Sequence, residues 1–154
     1  MPRATDISIY EQREGHTLLV KTRAPVTELG KVTADVYPKI FAYLAEQRMA
    51  PSGAPFITYH NMDMNDLEIS VGVPVPKELP ARGSIVPGKL PNVKVVTCVF
   101  RGPYHATETT YKEMHEFIAK NKLTILGVVR ESYLNSPANF PEEELLTRIS
   151  MPIK

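Results

Sequence analysis

Glu131 stands in the run Gly127-Val128-Val129-Arg130-Glu131-Ser132-Tyr133-Leu134. Strand alternation puts Val129, Glu131 and Tyr133 on one face and Val128, Arg130, Ser132 and Leu134 on the other. A carboxylate between an aliphatic and a phenol is costly on an inward face unless a cationic or hydrogen-bonding group satisfies it. Such a group could draw in a cation, or serve as general base to a water if its surroundings raise its pKa. On an outward face it would be a carboxylate paired with a local arginine.

Six aromatic residues are candidates to line a pocket with Glu131: Tyr37, Phe56, Tyr59, Tyr104, Tyr111 and Tyr133. Phenols around a buried carboxylate suit a flat, lipophilic cation through stacking and cation–π contact. Tyr37 and Tyr111 also fall on apolar helix stripes, where packing alone would account for them. Tyr104 follows Gly102-Pro103 at a strand-to-helix junction, a natural place for a pocket wall.

Other chemistries find little support. His16, His60, His105 and His115 are scattered, no pair has the i, i+4 spacing of a helical zinc site, and Cys98 is the single cysteine, so neither a metal nor a cofactor is expected. There is no glycine-rich phosphate loop and no serine nucleophile elbow. Cys98 lies within Val95-Val96-Thr97-Cys98-Val99-Phe100 and reads as a small buried apolar residue in a reducing compartment, without a nearby histidine to activate it.

The elements that must position these residues occur twice. Thr22-Arg23-Ala24-Pro25 recurs as Phe100-Arg101-Gly102-Pro103 and Val73-Pro74-Val75 as Met151-Pro152-Ile153, both at an offset of 78. Between them Tyr37, Ile40, Tyr43 and Leu44 fall on Tyr111, Met114, Phe117 and Ile118, and Tyr59 on Tyr133, at an offset of 74. At that offset Ile57 is the counterpart of Glu131, so an ionisable group replaces an apolar one in a single copy.

Each copy reads strand, helix, strand, strand. The first has Thr17 to Thr22, preceded by the alternating segment Ile7 to Tyr10. A helix follows, capped by Thr27 and interrupted by Pro38, and then Pro55 to Tyr59 and Leu67 to Val71. The second has Val93 to Phe100, a helix from about Thr107 to Lys120, then Ile125 to Tyr133 and Leu145 to Ser150. Pro74 to Pro91, with five prolines and two glycines, reads as the connection and cannot be a central strand or a helix. The expected fold is α+β, with tandem β-α-β-β units, an antiparallel sheet carrying two helices on one face, and a pseudo-two-fold cleft for a ligand. The expected organisation is one domain over 1–154, with repeats at about 5–76 and 91–154.

At 154 residues the chain can bury a core without disulfides. Lys and Arg number 18 against 17 Asp and Glu, scattered without a basic stripe, which disfavours direct nucleic-acid binding. No run approaches a membrane span, and Met1-Pro2-Arg3-Ala4-Thr5-Asp6 lacks a secretory pattern, so a cytoplasmic location is expected.

Five segments together resemble the gyrase-inhibitor-like (GyrI-like) small-molecule-binding domains, a family related to the effector-binding domains of AraC-type and multidrug-sensing MerR-type transcription regulators. They are Ile69 to Val75, Leu90-Pro91, Arg101-Gly102-Pro103-Tyr104, Arg130 to Pro137, and Leu146 to Ile153. The resemblance implies a duplicated β-α-β-β fold with a ligand cleft in which Glu131, beside Tyr133, attracts lipophilic cations. It also implies hydrolysis of strained electrophiles as an alternative activity, since some standalone members hydrolyse cyclopropane-bearing toxins with a glutamate and an aromatic pocket. The chain departs from the family in having no tryptophan and in entering its central strand through Leu90-Pro91-Asn92-Val93. The resulting expectation is a standalone domain that sequesters or senses a lipophilic, cationic or electrophilic compound. A hydrolase using Glu131 and a protein-interaction module such as a topoisomerase inhibitor, using the acidic loop Asn135 to Glu144, stand as alternatives. A homodimer or a protein partner is left open.

Overall fold

A computed structural model describes residues 3–154; Met1 and Pro2, the start of the N-terminal segment read above, lie outside the described residues. In chain order the elements are β1 (Ser8–Gln12), β2 (Gly15–Ala24), α1 (Leu29–Glu46), β3 (Phe56–Tyr59), β4 (Leu67–Val75), β5 (Val86–Leu90), β6 (Val93–Arg101), α2 (Glu108–Lys120), β7 (Val129–Tyr133) and β8 (Leu146–Pro152). The fold is α+β, and the chain divides into two compact units, Arg13–Pro91 and Asn92–Lys154 with β1.

In the Arg13–Pro91 unit the strands run β5-β2-β4-β3, all antiparallel. Leu18, Val20, Val71, Val73 and Ile57 form the buried face on which α1 lays Val36, Ile40, Tyr43 and Leu44. The i, i+4, i+7, i+8 spacing of those four gives a single apolar stripe. Thr27 does not cap α1. It lies in a 3-10 turn, Val26–Glu28, and Glu28 precedes the helix without a side-chain cap. Nor does the helix restart at Pro38, which is carried inside an unbroken 18-residue element. Pro74 is tolerated within β4 because β3 pairing ends at Phe56 opposite Gly72, leaving Pro74 on a stretch paired with β2 alone.

The second unit repeats this arrangement in the order β1-β6-β8-β7. The duplication holds residue by residue in the register. Val20 opposite Val71 and Ile57 opposite Val71 become Cys98 opposite Ile149 and Glu131 opposite Ile149. Its core joins Val96, Cys98, Phe100, Val129, Ile149, Met151 and Ile153 of the sheet to Met114 and Ile118 of α2. β7 is shorter than expected because Gly127, at φ +87°, breaks the chain's direction; Ile125 makes only an isolated bridge to Ile153.

The edge strands correct the sequence reading. Of the segment Ile7 to Tyr10, assigned above to the first repeat, Ser8 to Tyr10 lie in β1, which pairs with β6 of the second unit. In the proline-rich connection, Val86–Leu90 forms β5 and pairs with β2 of the first. The two strands stand 78 positions apart, Ser8 to Val86 and Gln12 to Leu90, so each is the same element of its repeat and each completes the sheet of the other. Pro87 fits because β5 is an edge.

Cys98 is 1% exposed, and burial pushes its thiol up to about 11. Native protein is therefore expected to resist alkylation by iodoacetamide at pH 8, and to react fully once unfolded in guanidinium. Below about pH 8.5, the ordinary thiol value, folded and unfolded chains both hold the proton. Between there and about 11 only the unfolded chain ionises, so this thiol's contribution to stability is lost as pH rises through that window.

Candidate functional site

β7 presents Val129, Glu131 and Tyr133 to the same side as Ile149, Thr147 and Met151 of β8, and α2 packs against that side. Glu131 thus points into the helix–sheet layer and is half-buried. Its carboxylate is held by two phenols. Tyr111, one turn before Met114 on α2, donates to Oε2 in a short hydrogen bond, and Tyr133, two residues along β7, donates to Oε1 at 3.2 Å. An ionised carboxylate only accepts, and a phenol O–H supplies the complementary donor.

Tyr104 completes the group. It opens a 3-10 turn, Tyr104–Ala106, entered through Gly102 at φ +140° and Pro103. The Gly102 N–H donates to the Leu145 carbonyl at 2.8 Å, fixing the turn beside β8. Its ring meets that of Tyr133 edge-on, with centroids 5.3 Å apart and planes at 67°, a geometry favoured by the ring quadrupoles. Tyr104 remains 43% exposed, so one wall of the group faces solvent. Burial and then the negative charge of Glu131 push its phenol above the ordinary tyrosine value.

Of the candidates named from sequence, Tyr104, Tyr111, Glu131 and Tyr133 converge in one unit. Tyr37, Phe56 and Tyr59 belong to the other. There Tyr37 donates to the Phe56 carbonyl at 2.8 Å and meets Phe41 with centroids 6.2 Å apart. Phe56 is buried on the opposite face of β3 from Ile57 and Tyr59. Tyr111 satisfies both sequence readings, packing against the core while its hydroxyl reaches Glu131. Among the described residues no group of three or more His, Cys, Asp and Glu is placed to hold a metal ion.

Two residues around Glu131 escaped the sequence reading. Thr110 of α2 and Thr147 of β8 are buried, and neither hydroxyl has a hydrogen-bond partner within the protein. Their counterparts in the first repeat are Val36 and Ile69, so the aliphatic-to-polar change at Glu131 is accompanied by two more in the same layer. Aligning the repeats position by position would have found them. Thr147 lies opposite both Tyr133 and Phe100, and the bulk of Phe100 where the first copy has Thr22 leaves room there for a smaller residue. Burying an unpaired hydroxyl costs about 1–3 kcal/mol. Thr147→Val, of the same shape, is therefore expected to raise the urea midpoint of the protein without changing its m-value.

The sequence from residue 5 to residue 154 matches the model of the GyrI-like small molecule binding domain. The chain belongs to this family. No curated protein matches it significantly. The same fold recurs in solved structures of low sequence identity. Against the crystal structure of the EcmrR C-terminal domain the TM-score is 0.82 at 19% identity, covering 97% of each chain. In the EcmrR–DNA complex the TM-score is 0.83 at 17% identity, and 97% of this chain spans only 57% of EcmrR. A hydrolase from Listeria innocua gives 0.73 at 15% identity over 100% of this chain and 94% of its own. SAV2435 bound to tetraphenylphosphonium gives 0.66 at 12% identity over 97% and 94%. Among the described residues no helix of this GyrI-like chain is long and apolar enough to cross a membrane.

Proposed function

We propose that this GyrI-like domain sequesters or senses a lipophilic cation, with Glu131 as the charge that reads it and Tyr104, Tyr111 and Tyr133 as the aromatic contacts. The observation that carries this reading is the pair of phenols, Tyr111 and Tyr133, that orient the two oxygens of one half-buried carboxylate beside the apolar core of the helix–sheet layer. A carboxylate there attracts a cation more strongly than it would in water, because the local dielectric is lower. Aromatic faces add cation–π attraction and apolar contact. The cation-bound structure of SAV2435, which shares the fold, supports the ligand class. Its place would be the cytoplasm, free of direct nucleic-acid contact.

Hydrolysis with Glu131 as general base is the second reading, favoured by the proximity of a phenol proton on Tyr111 to the carboxylate and by the fold shared with the Listeria innocua hydrolase. Each carboxylate oxygen accepts one phenol hydrogen bond and keeps a second lone pair with which it could receive a proton from water.

Calorimetric titration with tetraphenylphosphonium and with the neutral aryl analogue triphenylphosphine oxide separates the readings. A cation-reading site binds the phosphonium more tightly. Equal affinity for the two would overturn the cation reading, and turnover of a strained electrophile without any cation binding would shift the assignment to hydrolysis.

A further inference from the structure

We propose that β1 is a self-association edge, through which two copies of this chain pair strand to strand. β1 is the outer strand of the Asn92–Lys154 unit, paired with β6 on one side, and among the described residues no strand pairs with it on the other. The direction of its main-chain groups follows from β6. The Lys94 carbonyl accepts from Ile153 on the β8 side, and the Val99 carbonyl accepts from Ala4 on the β1 side. Main-chain groups alternate sides along a strand, so Val93, Val95 and Thr97 turn theirs toward β1. Their partners Gln12, Tyr10 and Ser8 are thereby bonded to β6, which directs the N–H and C=O groups of Ile9 and Glu11 away from the sheet.

The duplication supplies a comparison within the molecule. β5 is the same element of the other repeat, and its residues at the positions of Ile9 and Glu11 are Pro87 and Lys89. Pro87 has no N–H to offer, and a lysine on an edge strand holds off a further strand. β1 carries neither device at the same two positions. Ile9 is 47% and Tyr10 60% exposed, both of them strand-favouring residues, and the charge of Glu11 lies opposite Lys94 on β6.

The occupant that fits this edge is a second copy of the chain. Antiparallel pairing about a two-fold axis through Tyr10 sets Ile9 opposite the partner's Glu11, and Glu11 opposite the partner's Ile9. Each such pair exchanges both main-chain hydrogen bonds, so the outward groups of β1 are complementary to themselves. Tyr10 then meets the partner's Tyr10 at a non-hydrogen-bonded position, where side chains approach most closely and two phenols form an aromatic cross-strand pair. An axis through Ile9 would instead set Glu11 opposite the partner's Ile7, which lies outside β1. The pairing joins two Asn92–Lys154 sheets in the order β7-β8-β6-β1-β1-β6-β8-β7. A strand of 5 residues buries less than a permanent interface does, so the association is weak and reversible. It does not depend on the reading given to Glu131.

The test is sedimentation equilibrium of the intact protein over a wide range of concentration, for wild type, Ile9→Pro, Tyr10→Lys and, as a control at an exposed apolar residue of the other unit, Met62→Lys. Wild type and Met62→Lys are expected to pass from monomer to dimer as concentration rises. Ile9→Pro removes an outward N–H, as Pro87 does in β5, and Tyr10→Lys sets like charges face to face across the axis; each is expected to weaken the dimer at least about tenfold. Should Ile9→Pro fail to fold, Tyr10→Lys carries the test, because Tyr10 is exposed. The register is read by oxidative cross-linking. Tyr10→Cys is expected to give a disulfide-linked dimer, and Glu11→Cys, which faces the partner's Ile9, is not. Cys98 is buried and takes no part. A wild type that stays monomeric at every concentration, a dimer that survives both Ile9→Pro and Tyr10→Lys, or cross-linking of Glu11→Cys in preference to Tyr10→Cys would overturn the proposal.

Discussion

Phe100→Ala is expected to lower the free energy of unfolding by about 3–5 kcal/mol, the cost of emptying a buried phenylalanine site that cannot collapse. Phe100 is 1% exposed and joins β6 to the cluster holding Met114, Ile118 and Ile149. Its ring also lies under Gly102, where a Cβ would meet its Cζ at 3.1 Å, so removing it withdraws the support of the turn that carries Tyr104. Urea unfolding would show a lower midpoint, and a midpoint within experimental error of wild type would mean that this core does not bear on stability as described. Stabilities of small domains are about 5–15 kcal/mol, so the variant should remain folded at room temperature only narrowly.

Glu131→Gln is expected to weaken a lipophilic cation by more than about tenfold, or ~1.4 kcal/mol, while leaving the fold intact. The amide keeps the shape of the carboxylate and can still accept one hydrogen bond from Tyr111 or Tyr133, so the packing of α2 on β7 is retained. What it removes is the negative charge. Tyr104 supplies an internal report, because the charge of Glu131 is one of two causes raising its phenol. The pKa of Tyr104 should therefore fall toward the ordinary tyrosine value in the variant, which ultraviolet titration of the phenols can detect.

Much of this was legible in the residues themselves. The two repeat offsets, 78 and 74, predicted which residues would be equivalent, and strand pairing reproduces those equivalences at Ile57 and Glu131, at Val20 and Cys98, and at Val71 and Ile149. Period-two alternation grouped Glu131 with Val129 and Tyr133, although it left open which face was inward; that was decided by the packing of α2, a contact between elements far apart in sequence. Tyr111 was identified by its place on an apolar stripe, but a stripe does not disclose that a hydroxyl at its margin will reach a carboxylate.

The edge strands were illegible for a different reason. β1 and β5 are five residues each, and a short alternating segment states that it will pair without stating with which strand. Proximity in sequence favoured β2 for β1, whereas the fold pairs it with β6. Proline content hid β5, since Pro87 excludes only a central position. Thr27 had the chemistry of a helix cap, and the 3-10 turn that precedes α1 displaced it.

The central claim is that one carboxylate, Glu131, makes this domain selective for positive charge. The most direct measurement is calorimetric affinity for tetraphenylphosphonium and triphenylphosphine oxide in wild type and Glu131→Gln side by side. The account predicts that wild type prefers the phosphonium, and that the substitution abolishes this preference while affinity for the neutral oxide is unchanged. Undiminished affinity of Glu131→Gln for the phosphonium would contradict it.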